Sequence, residues 1–333
     1  MLAIQVENLT KIFQVTKKDP GLGGAVKALF RPRHEAVRAV DGISFQVEPG
    51  EMVGYIGVNG AGKSTTIKLL TGILVPSGGE VQVLGRDPHR QRVANAADIG
   101  VVFGQRTQLW WDLAFIESLS LVGKIYDVEP RRYQERLALF TELLDLGELM
   151  RVPIRQMSLG QKMRAELAAT LIHDPKVVYL DEPTIGLDLI VKERIRDFIK
   201  EQNREQGVTV VLTTHDLGDI EELCHRVIII DAGKLIYDGP LATIKQRFGK
   251  YRQITFELCA AAGHLQLPSG AERVTNEPRQ LTLRFDRTLT TASELAAAVM
   301  SQIEVTDFSL TEPDLASIIK QIYSGALHLE VAA

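Results

Sequence analysis

Cysteine is nearly missing from this chain: Cys224 and Cys259 are the only two in 333 residues. They stand at no metal-ligand spacing and cannot build a multi-bridge framework, so a reducing, cytoplasmic compartment is expected. Also missing is any apolar run near the ~20 residues of a membrane-spanning helix. Any membrane role is therefore expected to come through a partner. The start, Met1-Leu2-Ala3-Ile4-Gln5-Val6-Glu7, has neither the basic residues nor the apolar stretch of a signal peptide. Net charge is small, at −4, so no nucleic-acid partner is expected for the chain as a whole. No solenoid-type repeat is found. What is present is ordinary for a globular protein, 45% hydrophobic and 24% charged residues, in a chain long enough for two domains.

One stretch organises the rest. Residues 57–65 read Gly57-Val58-Asn59-Gly60-Ala61-Gly62-Lys63-Ser64-Thr65, which fits the phosphate-loop pattern G-x-x-x-x-G-K-[ST]. The flanks suit it: 52–56 reads as a short buried strand, and Ile67, Leu69, Leu70, Ile73 and Leu74 recur at helical spacing. Glycines let successive backbone N–H groups turn inward on phosphate oxygens, and the helix N-terminus adds partial positive charge. Lys63 reaches the β- and γ-phosphates as a point charge, and the Ser64 hydroxyl offers one position to Mg²⁺. A glycine-rich turn before a lysine would match these positions by accident in about one such chain in a hundred. Nucleotide binding is the expectation.

Around this loop, strands are expected at 4–9, 40–47, 80–84, 99–103, 177–180, 208–213, 227–230 and 235–237. Helical patterns cover 113–149, with Pro130 starting a helix, then 158–171, 190–206 and 217–223. Strands alternating with helices argue for a largely parallel sheet with helices on both faces. Between the first two strands lies a basic insertion, 15–37, containing Pro20-Gly21, Gly23-Gly24 and Arg31-Pro32-Arg33. Lys/Arg at 17, 18, 27, 31, 33 and 38 outweigh Asp19 and Glu35, a local balance of 6 − 2 = +4. Leu22, Val26, Leu29 and Phe30 suit one face of a short helix, either against anionic headgroups or an acidic partner, or as an ordinary packed loop. Both readings stand here. After Gly239-Pro240 the pattern changes: a helix over 241–248, half-exposed strands at 254–258 and 281–285, a helix over 292–300, a strand at 303–310 and a helix over 309–324. The division expected is 1–248, with a helical subdomain over about 107–172, followed by an α+β appendage at 249–333.

Two further sites carry chemistry. Asp181-Glu182 end an apolar strand in a chain that already has a phosphate loop, so Asp181 suits Mg²⁺ and Glu182 suits a general base for the attacking water. Simple helix capping is the alternative for such acids. Ser158-Leu159-Gly160-Gln161 satisfies the capping-box rule S-x-x-Q. The glycine in its first turn leaves N–H groups open to an anion as well.

In this order the motifs resemble those of the ATP-binding subunit of an ABC transporter, over about 2–248. Residues 57–65 match its Walker A motif, and 177–182 match Walker B with the catalytic glutamate Glu182. Ser158, Leu159, Gly160 and Gln161 match the signature, Gly186-Leu187-Asp188 the D-loop, Gln105 the Q-loop glutamine and His215 the switch histidine. Phe13 stands where the family stacks an aromatic on adenine. The signature has Leu159 where a second glycine is commoner, the adenine platform is phenylalanine rather than tyrosine, and Ile185-Gly186 precedes Leu187. None of these departures removes a group that the chemistry needs. The fold implied is the ABC-type phosphate-loop NTPase: a mainly parallel α/β core, an antiparallel β subdomain and a helical subdomain, here with a small C-terminal α+β appendage.

The resemblance further implies ATP and Mg²⁺ as cofactors, with Ser64, Gln105 and Asp181 at the metal. It implies a homodimer in which Ser158 and Gly160 of one subunit complete the site of the other. One or two separate permease chains would hold the protein at the cytoplasmic face of the membrane. The basic insertion and trailing domain resemble the exporter branch, with a drug, lipid or polysaccharide as cargo. Trp110 and Trp111, the chain's two tryptophans, stand beside Leu109 and Leu113 where the family receives the permease's coupling helix, and large aromatics suit such a pocket. Packing under the helical subdomain is the alternative for them. Chromosome-maintenance ATPases put long coiled-coil arms between phosphate loop and signature, and translation factors of the superfamily carry two heads. This chain has neither. An importer subunit and a cytosolic non-transport ATPase remain as the other readings.

Overall fold

A computed structural model describes residues 1–17, 33–104, 107–248, 251–263, 265–311, 315, 318, 319 and 323. Contacts divide the chain into two units, 1–239 and 240–330. The first unit is built on a six-stranded sheet in the order β5-β6-β7-β3-β8-β9. Its strands are β3 (Met52–Gly57), β5 (Ile99–Phe103), β6 (Val177–Asp181), β7 (Thr209–Thr213), β8 (Arg226–Asp231) and β9 (Lys234–Pro240). Val177, Val178, Tyr179 and Leu180 are all buried, as are Val227 to Ile230. Unbroken apolar runs of this kind belong to parallel strands covered on both faces. The parallel register sets Phe103 opposite Asp181 and Asp181 opposite Thr213, so the carboxyl ends of three strands finish at one level. In open α/β sheets that edge is where ligands bind.

A second, three-stranded antiparallel sheet runs β2-β1-β4, from β1 (Ile4–Lys17), β2 (Arg33–Val47) and β4 (Gly78–Val83). Ile4, Val6, Phe45 and Val81 from this sheet share one core with Tyr55, Ile67, Tyr179 and Ile228. The β1–β2 ladder continues through Val15↔Glu35 to Lys17↔Arg33, so both strands are longer than the sequence indicates. Residues 15–17 and 33–37, expected in the insertion, are thus ribbon. Val15 and Val37 are exposed there, and a ribbon that buries neither face leaves no hydrophobic alternation to read. The expected helix with Leu22, Val26, Leu29 and Phe30 lies outside the described residues.

The helices that matter for the site are α1 (Lys63–Leu70), α3 (Phe115–Ile125), α4 (Pro130–Leu143), α5 (Leu159–Leu171), α6 (Leu189–Gln206) and α7 (Leu217–Leu223). Pro130 opens α4 under the Glu129 side chain, which accepts from the N–H groups of Arg131 and Arg132, as its fixed φ and missing N–H suit a first turn. Phe140 of α4 meets Phe198 of α6 edge-on at 5.2 Å. Helix α2 (Arg92–Asp98) was not expected: Asn95 is its buried residue, so it carries no apolar stripe.

The second unit contains α8 (Leu241–Phe248), α9 (Ala292–Met300) and a four-stranded antiparallel sheet, β11-β12-β10-β13. Its strands are β10 (Tyr251–Leu258), β11 (Ala271–Glu277), β12 (Gln280–Asp286) and β13 (Val305–Thr311). Ile254, Phe256, Leu281, Leu283 and Phe285 pack with Leu295 and Val299. Three readings need correction here. The division falls at Gly239/Pro240 rather than after 248, because the Gly-Pro step ends β9 and α8 groups with the second unit. Strand β11 was missed because it has no apolar alternation and Val274 faces out. Residues 309–311 extend β13 rather than begin the last helix, paired with β10 through Gln253↔Thr311.

Candidate nucleotide site

Strand β3 ends at Gly57, and the chain folds over itself before α1 starts at Lys63. Gly62 takes φ +109°, and a Cβ there would lie 2.3 Å from the Ala39 carbonyl oxygen, so glycine is required. No side chain caps α1. Its first-turn N–H groups are left for an outside acceptor, and the helix dipole favours an anionic one. Lys63 is buried, and its Nζ donates to Gly57 O at 2.5 Å and Val58 O at 3.3 Å. Burial lowers its pKa, against the opposing pull of Glu182 and Asp181. Asn59 and Gly60 are exposed at the loop's crest, Ala61 is buried, and Thr65 is half-buried behind Ser64.

The strand ends supply the acids. Asp181 accepts from Ser64 Oγ at 3.2 Å and from Thr213 Oγ1 at 2.5 Å. A hydroxyl and a carboxylate at the mouth of a phosphate loop suit Mg²⁺, which keeps several waters and shares phosphate oxygens rather than filling an all-protein cage. Next to it, Glu182 sits at φ +57°, in the left-handed region that non-glycine residues rarely enter. The cost is about 1–2 kcal/mol, and the Glu182 N–H donating to Thr213 O at 2.8 Å helps to hold it. This turn aims the carboxylate at His215, whose Nε2 lies 2.8 Å from Glu182 Oε1. An open cleft of about 410 Å³ is lined by Ser64, Phe103, Gly104, Asp181, Glu182 and Ile185, among others.

Asp219 supports both of the loops that carry Glu182 and His215, and sequence reasoning missed it. Fully buried on α7, it accepts from Thr184 Oγ1, from Thr214 Oγ1 at 3.3 Å and from Arg196 Nε at 2.7 Å. Thr184 follows Glu182 by two residues and Thr214 precedes His215, so one carboxylate braces both. The available signal was an acid beside Ile220 on the apolar side of a short helix.

The signature residues form a separate tip. Ser158 caps α5: its Oγ accepts from Gln161 N–H at 3.2 Å, and its own N–H donates to Gln161 Oε1 at 2.9 Å. The capping box is therefore real. It does not account for Gly160, where an added Cβ would meet only Val191 and Leu187 side chains at ordinary distances of 3.5–3.8 Å. Leu159 is 45% exposed. Asp188 caps α6 by accepting from Val191 N–H at 3.0 Å. None of residues 158–161 lines the cleft. Phe13 is half-buried on β1 opposite Val37, with Lys11 Nζ 5.2 Å from its ring centre. Gln105 lies outside the described residues. Trp110 and Trp111 are 40% and 52% exposed above buried Leu109, and Lys162 Nζ lies 4.5 Å from the Trp111 ring centre.

The fold and this site define a phosphate-loop nucleotide-binding ATPase. The family described as ABC transporter matches residues 40–185. Daunorubicin resistance ATP-binding protein DrrA3 of Streptomyces coeruleorubidus is 31% identical over 307 residues, 90% of this chain and 96% of that protein. Methionine import ATP-binding protein MetN of Geobacillus kaustophilus is 33% identical over 259 residues, 74% of this chain and 75% of that one. Among solved structures, the dimeric post-hydrolysis state of the ATP-binding cassette MJ0796 with ADP and Pi superposes with a TM-score of 0.59. That match is 25% identical and covers 72% of this chain and 98% of the other. The chain belongs to the ABC transporter ATP-binding proteins.

Proposed function

We propose that two copies of this chain close around two ATP molecules and that their hydrolysis drives export through separate permease chains. One observation carries the reading: the groups that suit ATP chemistry fall in two places. Ser64, Asp181 and Glu182 line the cleft, with Lys63 close enough to feel the charge of both acids and His215 Nε2 2.8 Å from Glu182 Oε1, whereas Ser158 and Gly160 stand on a tip that neither lines it nor bonds to these groups. Gly160 has no packing reason to be glycine in its own chain. A second copy supplies the phosphate that the tip is shaped to approach.

In each site the amides of 60–65 and Lys63 take the β- and γ-phosphates, and Phe13 stacks on adenine. Ser64, Asp181 and Gln105 would hold Mg²⁺, which adds positive charge to neutralise the phosphates. Glu182 takes a proton from the attacking water, and His215 keeps the carboxylate facing it. Asp188 caps the helix beside the neighbour's loop. The DrrA3 alignment takes in 90% of this chain and so reaches into the second unit, which supports export of a drug-like cargo over import. Among the described residues no helix is long and apolar enough to cross a membrane. Attachment at the cytoplasmic face is through the permeases, received at Trp110 and Trp111.

Two measurements test this. The ATPase rate per molecule should rise with protein concentration, with a Hill coefficient for ATP approaching about two, the number of sites. A rate strictly proportional to protein and a coefficient of one at all dilutions would refute the shared site. Trp110→Ala/Trp111→Ala should keep solitary ATPase activity and lose stimulation by the permeases, losing about 2 kcal/mol or more of docking free energy. Full stimulation of that variant in proteoliposomes would rule out docking there.

A further inference from the structure

The four-stranded sheet of the second unit has two edges, β11 and β13. An edge strand is a template for another strand unless charge, proline or a cover spoils it. β11 is guarded in this way, with Glu272, Arg273 and Glu277 along it. β13 reads Val305-Thr306-Asp307-Phe308-Ser309-Leu310-Thr311, with one charge and no proline, and residues 306–311 are exposed. Phe308 and Leu310 stand opposite Phe256 and Ile254, so they share the apolar face that packs on α9. Phe256 and Ile254 are fully buried, whereas Phe308 and Leu310 are 45% and 42% exposed. The apolar layer thus runs out to the β13 edge and ends there uncovered.

The backbone shows which groups that edge offers. The Phe308 N–H donates to the Asp307 carboxylate at 2.7 Å, so it points away from β10. Backbone groups alternate along an antiparallel strand, so 308 and 310 face outward while 307, 309 and 311 face β10. A bulge ends this regular stretch below 307, since Glu257 pairs with Asp307 but Leu258 with Val305. The usable edge is therefore 307–311, and Ser309 is its middle residue. An antiparallel copy of the same strand, turned about a two-fold axis at Ser309, exchanges both backbone bonds between 308 of one chain and 310 of the other. That register sets Phe308 beside Leu310, Asp307 beside Thr311 and Ser309 beside Ser309. Apolar meets apolar, and no two carboxylates face each other. An axis at Phe308 would instead need outward groups from 306, inside the bulge.

We propose that β13 pairs antiparallel with β13 of a second copy of this chain, joining the two second units into one eight-stranded sheet. Five residues span only about 17 Å, a strip well short of the roughly 800 Å² per partner of a stable interface. The pairing therefore forms between copies already held together, at the effective concentration of linked modules. In that respect it rests on the shared-site reading above. Full-length Ser309→Cys in a Glu182→Gln/Cys259→Ser background, with ATP and a mild oxidant, tests it. Cys259 is exposed and is removed for that reason, while Cys224 is buried. Residues facing in a non-hydrogen-bonded pair lie about 4.5 Å apart between Cα atoms, within disulfide reach. Ser309→Cys should give a covalent dimer at least about tenfold faster than Asp307→Cys or Thr311→Cys, whose copies stand roughly 14 Å apart, four residues out of register. Asp307→Cys and Thr311→Cys combined in one chain should recover the cross-link.

Leu310→Pro removes an N–H that its own sheet does not use, a position where an edge strand tolerates proline. It should nevertheless slow the Ser309→Cys cross-link about tenfold or more, because a second strand can no longer bond there. Leu310→Lys keeps the N–H and should act likewise, by placing an ammonium beside the Phe308 ring of the second copy. Equal rates at 307, 309 and 311 would mean chance collision and overturn the proposal. So would a cross-link at 309 that neither Leu310 variant slows. Size exclusion with ATP separates the two levels. If Glu182→Gln stays monomeric, the shared-site reading fails, and this inference with it. If it dimerises and Ser309→Cys stays uncoupled, the edge belongs to another occupant, such as a permease segment, and only the strand pairing is refuted.

Discussion

Glu182→Gln should abolish turnover while ATP stays bound, leaving a nucleotide-loaded dimer that runs at twice the monomer mass on size exclusion. Losing a positioned general base costs about 10²- to 10⁴-fold in rate. The variant should fold normally. Glutamine can take the same left-handed turn at φ +57°, and the backbone bond from position 182 to Thr213 O survives. The amide can still accept from His215, so the cleft keeps its shape. Removing one of two neighbouring negative charges also eases the approach of the γ-phosphate. Phosphate release within a few-fold of the parent would take Glu182 out of the role of base.

Lys63→Ala is expected to act at the earlier step, on nucleotide affinity. The ammonium is buried in the loop it serves, so phosphates meet it away from bulk water. Truncating one side of a buried charge contact costs about 2–5 kcal/mol, on the order of 30- to several-thousand-fold in Kd. Its bonds to Gly57 O and Val58 O are lost as well. Lys63→Met, which keeps most of the stem, separates a collapsed loop from a missing charge. Equilibrium binding of ATP should be weak in both. Parental affinity in either variant would defeat the assignment of Lys63 to the phosphates.

Much of this molecule is readable one segment at a time. The runs at 52–56, 177–180 and 227–230 could be placed as sheet interior because strands buried on both faces show no alternation to disguise them. The Ser158–Gln161 cap joins residues three apart and needs no knowledge of the fold. Asp219 and Glu166 are the opposite case. Each is an acid on a helix, and in a sequence that reads as the solvent side. Their partners Thr184 and Thr107 lie 35 and 59 residues away. Likewise β11 exists by pairing with β12, not by any pattern of its own.

The class of chemistry was settled by the order of residues alone, because a phosphate loop, a strand-end acid pair and a capped glycine-bearing helix are local devices whose spacing is their signal. How those devices stand to one another is a property of the folded chain. Folding brought Ser64, Asp181 and Thr213 into one hydrogen-bonded group, turned Glu182 toward His215, and set Glu166 of α5 against the Gln108 N–H. Sheet register and burial choose these partners, and both are set by packing between elements far apart in the chain.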